Sequence, residues 1–183
     1  MSDLINQATH RSSGSVRVNP AVPGHATHAP SSTARAIVSA GFTCGVLDIT
    51  AAFVNWALRG VGPERLLQAI ASGLLGPQSF RGGGSTAALG LAFHFFIAFS
   101  AATVFYLASR KLQFLTRRAI LSGIAYGISV YLFMYWIVIP LSRIQRMPFS
   151  LSQTILAIVV HIVCVGLPIS LNIRRYPPIP NGR

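Results

Sequence analysis

The chain has 183 residues, 52% of them hydrophobic and only 10% charged, with a formal charge of +12 and a mean hydropathy of +0.57. A soluble domain carries roughly a quarter charged residues, so this composition excludes one and points to lipid. The basic residues come singly or as the pairs Arg110-Lys111, Arg117-Arg118 and Arg174-Arg175 beside apolar runs, which suits anchoring to anionic headgroups and gives no nucleic-acid face.

Residues 1–34 are rich in Ser, Thr, Ala, Pro and His, and Pro20, Pro23 and Pro30 forbid a persistent helix, so a disordered tail is expected there. It lacks the apolar core and small-residue cleavage site of a secretory signal, which leaves the first membrane helix as the targeting signal. His10, His25 and His28 in this tail have no fixed geometry and are read as solvated rather than as metal ligands.

The first long apolar run, 36–58, carries an acid, Asp48, near its middle. A connection follows, in which Pro63 suits a first helical position, Glu64 the positive end of a helix, and Leu66, Leu67, Ile70 and Leu74 one face. This predicts a short amphipathic helix over 63–75, too short to span and therefore interfacial or re-entrant. The Phe80 to Ser85 segment, FRGGGS, is expected to be a flexible hinge; it lacks the GK[ST] of a phosphate-binding loop. Further spans are predicted over 86–108, 119–140 and 151–172, with the cytoplasmic tail closing the chain at 174–183. The fold class is therefore all-α: a polytopic membrane protein of four transmembrane helices plus one short amphipathic interfacial helix.

Ten of the 15 Lys and Arg residues lie in the N-terminal tail, the second connection and the C-terminal tail. By the positive-inside rule both termini are expected in the cytoplasm. Tyr135 and Trp136 on the third span and Trp56 on the first then fall at one outer interface, where aromatic side chains anchor.

Small and polar residues mark the faces that meet inside the bundle, because in lipid close backbone approach replaces the hydrophobic drive. Gly41, Gly45, Asp48, Ala52 and Asn55 recur at steps of three and four, so Asp48 belongs to the packing face. Ala87, Gly90, His94, Ala98 and Ala101 do the same on the second span; Gly123 and Gly127, continued by Tyr131 and Met134, on the third; His161, Cys164 and Pro168 on the fourth. Pro168, with Gly166 beside it, is expected to kink the last turns. At 1.5 Å rise per residue, Asp48, His94 and His161 lie roughly 18, 21 and 16 Å from the cytoplasmic ends of their helices, within about one helical turn of a common depth. An unpaired charge near the middle of the bilayer costs at least roughly 2.5 to 3.5 kcal/mol, so a paired acid is expected.

Three readings of this polar layer compete. It ties helices together; or it relays protons or ions through Asp48, since burial favours the neutral form of an acid and a histidinium partner the ionised form; or His94 and His161 ligate haem or a metal, with Cys164 as a softer donor. In the first two there is no cofactor. Cys44 and Cys164 are read as small buried hydrophobes, not a disulfide. Enzymatic chemistry is not expected: Ser100 and Ser129 have no histidine at a local spacing, and the acids, Asp3, Asp48 and Glu64, form no carboxylate pair.

The stretches TCGVLDITAAFVNWALRG, LLQAIASGLLG, GGGSTAALGLAFHFFIAFSAATVFYLASR and GIAYGISVYLFMYWIVIPLS, between Thr43 and Ser142, resemble a group of uncharacterised bacterial four-helix membrane proteins. More loosely, in helix layout and in the histidines of the second and fourth helices, the chain is similar to YagU-like inner-membrane proteins. The resemblance implies a bacterial inner membrane and assigns no catalytic residue. The sequence leads to a small integral membrane protein, transporter-like or a membrane helper, with the redox module as the alternative. The expected partner is the lipid bilayer, not nucleic acid; a homo-oligomer or another membrane protein is left open.

Overall fold

The structure is a computed structural model that describes residues 32–144 and 150–176; the expected disordered tail, apart from its last residues, and Arg146 and Pro148 of the last turn lie outside them. Among the described residues there is no strand. Four helices are long and apolar enough to cross a membrane: α1 (Ser32–Ala57, 26 residues), α3 (Gly83–Lys111, 29 residues), α5 (Ala119–Leu141, 23 residues) and α6 (Leu151–Arg175, 25 residues). The shorter α2 (Pro63–Leu75) joins α1 to α3, and a single turn, α4 (Phe114–Arg117), precedes α5. The chain is thus an all-α, multi-pass membrane protein. Several helices run past the expected apolar spans. Thus α3 takes in Arg110 and Lys111, and α6 ends on Arg174 and Arg175, basic residues in a last turn being favoured by the helix dipole. Val38, Phe42, Phe96, Val104 and Leu121 are more than half exposed on the outer faces, as surfaces that meet lipid tails are.

α1 is the central element, with α3 on one side and α6 on the other; α5 packs on the far side of α6, and α2 lies along α3. The tightest core fills the half of the bundle nearer the chain termini. There Ala36, Ala40 and Cys44 of α1 meet Ala102, Phe105 and Tyr106 of α3 and Val165, Ile169 and Ile173 of α6. Two tyrosines stitch this half. Tyr106 pairs its hydroxyl with Thr33 Oγ1 at 2.8 Å. Tyr126 of α5 donates to the Ala101 carbonyl of α3 at 2.7 Å and sets its ring edge-on to Phe105. Since α3 and α5 otherwise make no extended backbone contact, Tyr126→Phe should lower stability by about 1 kcal/mol in a micellar unfolding titration, the contribution of one interhelical hydrogen bond. An unchanged midpoint would show that the tie carries no weight.

Small residues set the close approaches. Gly41 and Gly45 seat the rings of Phe99 and Phe95 from α3. Gly123 and Gly127 of α5 meet α6 backbone to backbone, Gly127 against the His161 carbonyl and the Ile162 Cα and Gly123 against Gly166. Gly90, expected on the face between spanning helices, instead receives the Leu67 carbonyl of α2. Its missing side chain docks the short helix.

Two turns of the spanning helices are widened to π geometry, Met134–Val138 in α5 and His161–Gly166 in α6. Each stops two residues short of a proline, Pro140 and Pro168. Proline lacks an N–H and its ring crowds the carbonyl four residues back, and a wider preceding turn accommodates both. The expected disturbance at Pro168 is therefore a π turn placed ahead of it. The turn also divides the packing of α6. From His161 onward α6 lies against α1, whereas Leu151–Val160 makes no extended contact with α1 or α3. The helices accordingly form two halves, α1–α2–α3 and α5–α6, joined near the termini and splayed apart at the other end.

At the splayed end α2 bridges the halves: the Arg143 N–H donates to the Gly73 carbonyl at 3.0 Å, and the Ile144 side chain packs 3.6 Å from where a Gly73 Cβ would stand. The buried face of α2 is Leu66, Gln68, Ala71 and Ser72, whereas Leu74, expected on the apolar stripe, is 60% exposed. Gln68 is held inside because its amide donates to Glu64 Oε1 and to the Gly83 carbonyl, both at 3.2 Å. The Phe80 to Ser85 segment is also corrected. Phe80 and Arg81 end a 3-10 helix, Gly76–Arg81, Gly83 to Ser85 begin α3, and Thr86 Oγ1 donates to the Ser79 and Gly83 carbonyls. The Arg65 guanidinium covers the Phe80 ring at 4.2 Å. Local hydrogen bonds, invisible in a glycine-rich string, give this stretch a fixed shape.

Candidate functional site

Splaying two helical pairs leaves a cavity between them, about 700 Å³ in volume, lined from all four spans and from α2. Its inner end is closed by Cys44, Ala98, Ala101, Val130 and Val165, next to the tight core, and Leu66, Ile70 and Ile144 stand at the α2 end. Asp48, His94 and His161 all line it, and each is half-buried. Cys164 does not line it, and both cysteines are free thiols.

The expected pairing of the acid with a histidine is corrected by the hydrogen bonds. His94 Nε2 lies 2.8 Å from the Gly45 carbonyl oxygen, and His161 Nδ1 lies 2.8 Å from that of Ala157. A carbonyl only accepts, so the histidines donate there, which leaves His94 Nδ1 and His161 Nε2 as lone-pair acceptors when the rings are neutral. The reason is local. Gly45 lets α3 come close enough for His94 to reach α1 backbone one turn before Asp48, and His161, at the start of the π turn, bonds back along its own helix. Among the described residues Asp48 makes no hydrogen bond or ion pair.

Around these groups the wall is aromatic and aliphatic. Tyr131 stacks on Tyr135 with centroids 5.9 Å apart and presents its ring to His161 edge-on at 5.6 Å. Trp56 and Tyr135, expected at the outer interface, line the cavity, while Trp136 stays 67% exposed. Arg59, about three helical turns beyond Asp48, also lines the cavity and covers the Trp56 ring at 5.6 Å. Gln153 and Thr154 add polar atoms from the first turn of α6. Sequence reasoning overlooked these two. The signal was present in Gln153, Ala157 and His161, which recur every four residues.

Chemically the site joins one carboxylate, acceptor nitrogens and tyrosines to a largely apolar wall. A polyhedral metal site needs more convergent donors, and among the described residues no group of three or more His, Cys, Asp or Glu side chains is placed to hold a metal ion. Compared with known proteins, the chain matches no family model, no curated protein and no solved structure.

Proposed function

We propose that the protein is a small proton-coupled transporter of a bacterial inner membrane, with both termini in the cytoplasm and Asp48 as the group that takes up and releases the proton. The observation that carries this reading is that Asp48, on the wall of a cavity between two splayed helical halves, has no hydrogen-bond or ion-pair partner among the described residues. Ionisable groups inside the membrane are costly unless a function retains them, and a cavity at the junction of two halves that part at one end is the arrangement alternating access requires. The charged and titratable groups that share the cavity with Asp48 are Cys44 on α1, Arg59 in the turn after it, His94 on α3, Tyr131 and Tyr135 on α5 and His161 on α6, with Cys164 on the same helix as His161. With cytoplasmic termini, the splayed end faces outward. Transport then closes α2 and the start of α6 over the cavity and parts the helices at the terminal end.

The test is proton flux into liposomes driven by a pH gradient, wild type against Asp48→Asn. Flux from the wild type that Asp48→Asn abolishes supports the proposal, and equal flux from both removes Asp48 from the mechanism.

A further inference from the structure

We infer that the cavity takes an amphiphilic organic cation, its ammonium or phosphonium centre seated at Asp48 and its apolar body against the tyrosine and aliphatic wall. This rests on the transport reading above and names the solute that would move against protons. Three observations on the cavity select the class. Its acid, Asp48, lacks a hydrogen-bond or ion-pair partner among the described residues, so a positive charge is the complement it lacks. Both cavity histidines spend their N–H on backbone carbonyls, Gly45 and Ala157, so the neutral rings offer the cavity acceptors and no imidazole donor. An anion placed there would meet the carboxylate and two lone pairs; its attractive partner, Arg59, stands about three turns away at the outer end.

The third observation is the wall. Tyr131 and Tyr135 present aromatic surface, and Ile49, Ile97 and Val130 aliphatic surface, around the same space. Aromatic faces attract a cation, and most strongly one that sheds little hydration on entry, as a quaternary ammonium or phosphonium does. A bare alkali or divalent ion would instead require several oxygen ligands, and among the described residues no cluster of three metal-binding side chains exists. The volume, about 700 Å³, lies in the range of pockets that enclose drug-sized molecules. Because α3 and α5 make no extended contact beyond the Tyr126 tie, and the outer half of α6 none with α1 or α3, the walls are parted at the end away from the termini.

The test compares two ions of the same shape and opposite charge, tetraphenylphosphonium and tetraphenylborate, for saturable binding to the full chain in zwitterionic nanodiscs, after subtraction of empty nanodiscs. Expected are saturable phosphonium binding, no saturable borate binding, at least about a tenfold loss of phosphonium affinity in Asp48→Asn, and retention within about tenfold in Asp48→Glu, tenfold being 1.4 kcal/mol. Equal saturable binding of both ions by the wild type would overturn the inference whether or not the variants fold, since the cavity would then be selecting apolar bulk alone. Absence of saturable phosphonium binding would also overturn it, and would leave proton flux through Asp48 standing as a separate result.

Discussion

Asp48→Asn is expected to reduce pH-driven proton flux to that of protein-free liposomes, a fall of at least about tenfold, while leaving the fold intact. The side chain makes no hydrogen bond or ion pair among the described residues, so its replacement by an isosteric amide breaks no tertiary contact. An amide does not titrate, and the loss is therefore specific to proton transfer. Nor is there a second carboxyl to take over: the other acids are Asp3 in the tail and Glu64 on α2, and Glu64 is engaged by Gln68. An Asp48→Asn protein that melts with the wild type but carries no protons fits this account. One that loses both fold and flux would make Asp48 a structural tie, in line with the first reading of the polar layer.

A large effect on stability is expected at Gly127, where α5 meets α6 backbone to backbone. A Cβ at this position would stand 2.6 Å from both the His161 carbonyl oxygen and the Ile162 Cα, and these are backbone atoms of the π turn that no rotamer change can move aside. Gly127→Ala should therefore cost about 1–3 kcal/mol, the usual range for overpacking a close contact, and Gly127→Leu should prevent α5 from docking on α6. Gly84 is the internal control. It lies at the start of α3 with no atom within 4 Å of an added Cβ, so Gly84→Ala should stay within about 0.5 kcal/mol of the wild type. Thermal or denaturant midpoints in micelles measure both, and equal effects at the two glycines would contradict the packing described for α5 and α6.

The fold class was legible because its cause is in the composition. Long apolar runs in a bilayer must satisfy their backbone internally, so they become helices whatever their detailed sequence. The small-residue stripe of α1 was legible as well, since a step of three or four residues is the helix period itself. Other features were not. The π turns shift the facing of every residue after them, so a plain 3.6-residue count cannot tell that His161 lines the cavity while Cys164 does not. Nor could spacing show that Gly90 serves α2. Asp48 and the histidines lie close in depth by helix arithmetic, yet depth gives no partner: which group a histidine bonds depends on the glycine that lets a neighbouring carbonyl come within 2.8 Å. The fixed shape of the Phe80 to Ser85 segment rests on side-chain bonds from Thr86 and an arginine from α2, which glycine content alone masks.

Everything functional in this account depends on the helices being splayed at the end away from the termini and packed at the other. Cysteine accessibility in intact proteoliposomes tests this most directly, with a membrane-impermeant maleimide applied from each face and the labelling of the parent's Cys44 and Cys164 subtracted. Asn55→Cys and Thr154→Cys, on the cavity wall, should react with reagent added at the face opposite the termini. Ala40→Cys and Ala102→Cys, in the fully buried core, should resist it from either face. Unreactive Asn55→Cys and Thr154→Cys, or core positions labelled as fast as these, would contradict the splayed arrangement and with it the cavity on which the role of Asp48 rests.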